Sequence, residues 1–152
     1  ESVGVRRDAL YAAITENVIG AVHVFTPDGG GWDHRVLDLP GQGTAGIATV
    51  NAYGPEAMFG FENYLTPPTV YFDNGDDAPA PVKSLPARFD ASGLVTEQFE
   101  AVSADGTRVP YFVTRPKTLS GPAPTLLYGY GGFEVSLTPS YSASVGRVWL
   151  RP

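Results

Sequence analysis

The residues of this chain best suited to chemistry lie in one short run, Tyr128-Gly129-Tyr130-Gly131-Gly132-Phe133. It follows Pro124-Thr125-Leu126-Leu127-Tyr128, a compact apolar stretch of the kind that forms a strand buried on both faces. Tandem glycines after such a strand mean that backbone approaches something closely or adopts positive φ. Acyl transfer is one chemistry that needs a loop of this kind. Its tetrahedral intermediate places negative charge on one oxygen, and fixed donors must already point at it. A tight turn is the plain competitor. Phosphate cradling is disfavoured, because neither a full Gly-x-Gly-x-x-Gly pattern nor a Gly-Lys-Ser/Thr ending occurs.

The other reactive side chains are poorly placed. His23 and His34 read as strand and turn residues rather than catalytic bases. Asp73, Asp76 and Asp77 lack the spacing of a calcium loop and read as a solvated turn. Ser142 and Ser144 have no base in a recognisable motif, and no Gly-x-Ser-x-Gly elbow occurs anywhere. With no cysteine, the chain has neither disulfides nor thiolate chemistry. No metal or organic cofactor is called for. A net charge of −6 and only two lysines, Lys83 and Lys117, leave no basic stripe for nucleic acid. The longest strongly apolar run, Val18 to Phe25, is broken by Gly20 and His23 and is far too short to span a bilayer.

The elements around the glycine-rich run are short strands. Eighteen glycines and 14 prolines favour turns over helices. Ala9–Thr15, Ala21–Thr26, Trp32–Leu37, Gly46–Val50, Ala57–Glu62 and Thr69–Phe72 read as strands between turn residues. Sliding the chain by 48 places sets Leu10-Tyr11-Ala12-Ala13 over Met58-Phe59-Gly60-Phe61, and Val22-His23-Val24 over Val70-Tyr71-Phe72. A β-rich unit recurring at about this period suits propeller blades, with a β-sandwich as the competing arrangement. Asp77-Ala78-Pro79-Ala80-Pro81 is a stiff boundary. Beyond it, Val95–Val102 and Arg108–Arg115 flank Ser103-Ala104-Asp105-Gly106-Thr107, a strong hairpin signal.

Leu126 to Phe133, continuing through Ser136-Leu137-Thr138-Pro139-Ser140-Tyr141-Ser142, resembles the opening of the catalytic domain in the prolyl oligopeptidase family. Val82 to Gly93 is similar to that family's crossover between domains, and Glu97–Ala101 with Asp105–Phe112 to its first hairpin. The resemblance implies propeller blades over residues 1–80, a crossover over 81–93, and the leading strands of an α/β-hydrolase domain over 94–152. The expectation is a mostly β piece of a larger, soluble, two-domain serine peptidase, cytoplasmic or periplasmic, cut before its catalytic triad. Its substrates would be short proline-containing peptides, cleaved on the carboxyl side of proline, and its partner the remainder of the parent chain. By the same resemblance Tyr130 donates to the oxyanion and Phe133 lines the proline pocket. The isolated chain is expected to be inactive. A related oligopeptidase cutting after basic residues, or a non-catalytic propeller-containing binding protein, are the alternatives.

Overall fold

A computed structural model describes residues 1–75 and 78–150. The first 36 residues form one antiparallel meander, β1 (Ser2–Arg6), β2 (Ala9–Glu16), β3 (Ile19–Asp28) and β4 (Gly31–Val36). A second meander follows, β5 (Thr44–Val50), β6 (Ala57–Glu62), β7 (Thr69–Asp73) and β8 (Ala80–Ser84). Each sheet uses four consecutive strands in chain order. That is how a propeller blade is built, whereas an immunoglobulin-type sandwich sends strands back and forth between its sheets.

The two sheets share one core. Ala9, Tyr11 and Ala13 of β2 and Val22 and Val24 of β3 face Ala57 and Phe59 of β6. The alternate positions along β2 and β6 do this because successive side chains of a strand point to opposite faces. Tyr11 and Phe59 are fully buried, with ring centroids 5.1 Å apart, a contact worth about 0.5–1.5 kcal/mol beyond the area it buries. Gly20 donates to Gly43 O at 2.8 Å, and a Cβ on Gly20 would lie 2.5 Å from Ala45 N. Only glycine lets the two sheets meet this closely.

The 48-residue repeat holds for β2 and β6, where Ala9, Tyr11 and Ala13 stand over Ala57, Phe59 and Phe61. In the third strand the relation shifts to 47. Tyr11 pairs with Val24 and Ala13 with Val22, while Phe59 pairs with Tyr71 and Phe61 with Thr69. The buried face of β7 is accordingly Thr69, Tyr71 and Asp73, rather than Val70 and Phe72. One residue fewer in the β6–β7 connection flips the strand, since register has period two.

Asp73 therefore corrects the expectation of a solvated turn. It is 1% exposed, accepts a 2.7 Å hydrogen bond from Tyr11 Oη and a 2.9 Å bond from Gly75 N, and lies 3.7 Å from Arg35. Asp76 and Asp77 lie outside the described residues. Arg6 completes the group. Its guanidinium sits 5.7 Å from the centre of the Tyr11 ring and donates to Pro55 O at 2.8 Å. Its Nε comes within 2.7 Å of Asp8 Oδ1 without the alignment of a hydrogen bond.

The second sheet also runs further than the composition suggested. Residues 80–84, read as boundary and crossover, are the edge strand β8, where Pro81 pairs with Tyr71. Proline is tolerated on an edge because its missing N–H is not needed there.

Candidate functional site

The elements preceding the glycine-rich run form as the sequence indicates. β9 (Leu94–Val102) and β10 (Arg108–Pro116) pair along their whole length. Gly106 takes φ +86° in the turn, and Thr107 N donates to the Asp105 carboxylate at 3.0 Å. That backbone bond, above all, lowers the Asp105 pKa below its usual value. Across the hairpin, Arg115 places Nε and Nη2 at 3.0 and 2.7 Å from Glu97 Oε2. Gln98 Nε2 donates to Asn17 O at 2.8 Å, and Phe112 packs on Tyr64 at 5.4 Å. The hairpin is thereby tied to both sheets.

The stretch at 124–128 departs from expectation. It pairs with no strand among the described residues, and Leu127 and Tyr128 are largely exposed. A strand buried on both faces exists only between neighbours that take its hydrogen bonds, and the described residues offer none beside it.

Tyr130 is half exposed, and its hydroxyl has no hydrogen-bond partner among the described residues. The phenol folds back over its own loop. A Cβ on Gly132 would stand 2.8 Å from Tyr130 Oη and 3.0 Å from Cζ. Glycine at 132 is what lets the hydroxyl occupy that place. Gly132–Glu134 then form a single 3-10 turn, in which Phe133 and Glu134 both take φ of 57°. Left-handed backbone is uncommon for an aromatic residue, and here it leaves the Phe133 ring 94% exposed. Tyr130 and Phe133 thus share one loop, with both side chains open to solvent.

The remaining candidates lie elsewhere. His23 and His34 sit on β3 and β4, their Nδ1 and Nε2 joined by a 2.9 Å hydrogen bond, beside Phe25. Ser142 accepts from Val145 N at 3.3 Å and so caps the helical turn Ala143–Val145. Among the described residues no three His, Cys, Asp or Glu converge as a metal site, and no helix is long and apolar enough to cross a membrane. Sequence reasoning missed a set of contacts around Pro139 and Tyr141. Thr44 Oγ1 donates to Pro139 O at 2.7 Å, and Tyr141 N donates to Glu62 Oε2 at 2.9 Å. No local motif could have shown these, because the partners lie 95 and 79 residues apart.

No protein-family model matches the chain. Individual proteins do. The chain is 39% identical over 147 residues to the uncharacterized peptidase y4nA of Sinorhizobium fredii, covering 95% of this chain and 20% of that one. It is 39% identical over 119 residues to the prolyl endopeptidase of Elizabethkingia miricola, covering 76% and 17%. A solved structure from a study of two prolyl endopeptidases superposes on 99% of this chain and 22% of its own, with a TM-score of 0.77 and 36% identity. The mostly β architecture matches the propeller of these enzymes. The chain spans about a fifth of the length of the curated relatives it matches. On this likeness in sequence and in fold, the chain belongs to the prolyl oligopeptidase family of peptidases.

Proposed function

We propose that this chain is the part of a serine-type peptidase that carries its oxyanion donor, Tyr130, on the loop 128–133. The longer parent would hydrolyse short proline-containing peptides on the carboxyl side of proline. Residues from about 94 onward would open its α/β-hydrolase domain, and the two preceding sheets would belong to its propeller. The nucleophile, base and orienting acid would come from elsewhere in the parent, since this chain holds no serine elbow.

One observation carries the reading: the half-exposed Tyr130, on a glycine-flanked loop, keeps a hydroxyl with no protein acceptor among the described residues. Tyr11 is the contrast, a buried phenol whose hydroxyl is already bonded to Asp73. A donor that the fold has left free can instead meet charge that develops on a substrate oxygen. Phe133 supports the same reading. A bulky residue held at positive φ with its ring exposed is an outlier that points to use, here as an apolar wall for the proline ring.

Steady-state kinetics of the full-length parent tests this. Tyr130→Phe should lower kcat about 10²–10³-fold while changing KM little, because the lost interaction exists only in the transition state. An unchanged kcat removes Tyr130 from the mechanism.

A further inference from the structure

We infer that the cross-strand pair Thr44 and Glu62 forms a clamp that positions the Tyr130 loop from the second sheet; the inference rests on the oxyanion reading above. From Ser120 to Thr138 the hydrogen bonds of the described residues are all local, namely Thr125 to Ala123 and Val135 to Gly132. The loop has no anchor of its own. Its glycines make it more mobile still, since residues without a Cβ have the most backbone freedom to lose.

The first fixed point beyond it is Pro139, whose side chain is fully buried and whose carbonyl accepts from Thr44 Oγ1 at 2.7 Å. Two residues on, Tyr141 N donates to Glu62 Oε2 at 2.9 Å. Thr44 and Glu62 stand opposite each other where β5 and β6 pair. Gly43, one residue before Thr44, accepts the Gly20 bond that joins the two sheets. The clamp is thus seated beside a hydrogen bond that joins the two sheets.

Tyr141 carries the hold onward. Its ring stacks on Phe89 at 5.2 Å and 5°, and its hydroxyl accepts from Arg88 N at 2.8 Å. Tyr130 is nine residues from Pro139, so a fixed Pro139 limits it to a reach of roughly 30 Å at full extension. A developing oxyanion needs its donor placed to within a few tenths of an ångström, and a clamp at the nearest fixed point narrows the positions the phenol visits. Thr44 and Glu62 touch no substrate in this account. They are positioning residues.

A double-mutant cycle in the full-length parent tests the clamp. Glu62→Leu removes the acceptor and should lower kcat about tenfold with KM within about twofold, whereas Glu62→Gln keeps an acceptor oxygen and should restore kcat to within about twofold. In a Tyr130→Phe background, Glu62→Leu should change kcat by less than about twofold, because the group it positions is already gone. Thr44→Val, run through the same cycle, serves if Glu62→Leu does not fold. An equal loss in both backgrounds, or none where Tyr130 is present, overturns the clamp and leaves the oxyanion reading standing. A silent Tyr130→Phe overturns both.

Discussion

A phenol can serve a reaction only if the fold has not already used its hydroxyl. Tyr11 and Tyr130 are the two extremes. Tyr11 is wholly buried and donates to Asp73 at 2.7 Å. Burial first, and the bond to Asp73 second, raise its pKa well above the ordinary 10.0. A group whose pKa is raised in the folded state stabilises the fold below its unfolded pKa, and that contribution is lost as pH rises above it. The chain should therefore lose stability above about pH 10 more steeply than a Tyr11→Phe variant. The variant itself should be less stable at neutral pH by about 1–3 kcal/mol, because Asp73 loses a buried partner. Denaturant melts across the alkaline range measure both, and equal slopes would show that Tyr11 titrates as it does when unfolded. The two tyrosines were not equally legible. Glycines on three sides of Tyr130, at 129, 131 and 132, announce it from sequence. Nothing local marks Tyr11 as the partner of an aspartate 62 residues away. Asp73 was misread for the same reason: turn chemistry follows it closely, and the burial comes from the other sheet.

At the scale of elements, the strands that carry alternation or a strong turn were readable. Ala57–Glu62 forms over the expected residues, and Asp105-Gly106 closes the β9–β10 hairpin as its chemistry requires. Elements that depend on neighbours were not. The apolar run at 124–128 has the composition of a central strand, yet without flanking strands among the described residues it makes no ladder. β8 was hidden by Pro79 and Pro81. The β2–β3 turn holds another departure. Asn17 and Val18 occupy it with φ of 48° and 61°, the signs of a type I′ turn, whose second position favours glycine. A β-branched residue in left-handed backbone is strained by about 1–2 kcal/mol. Val18→Gly should raise the denaturation midpoint by an amount of that order, less the entropy glycine adds to the unfolded chain. A lower midpoint would mean that Val18's packing outweighs the strain.

At the scale of the molecule, two blade-like sheets, a hairpin and an open loop are joined by contacts that span the chain. Gln98 reaches Asn17, Phe112 reaches Tyr64, and Pro139 and Tyr141 reach Thr44 and Glu62. Such a body can present a donor, but among the described residues it arranges no nucleophile with a base. The 152-residue chain should therefore show no turnover of a chromogenic Gly-Pro substrate; measurable hydrolysis at equimolar chain would refute the division of labour proposed here. The role proposed for Tyr130 is tested most sharply by a stable mimic of the tetrahedral intermediate. A peptidyl prolyl aldehyde, which a serine nucleophile converts to a hemiacetal, should bind the full-length parent far more tightly than its Tyr130→Phe variant. The inhibition constant should rise by about the same 10²–10³-fold as kcat falls, with substrate KM little changed. Equal aldehyde affinity in the two proteins would contradict it.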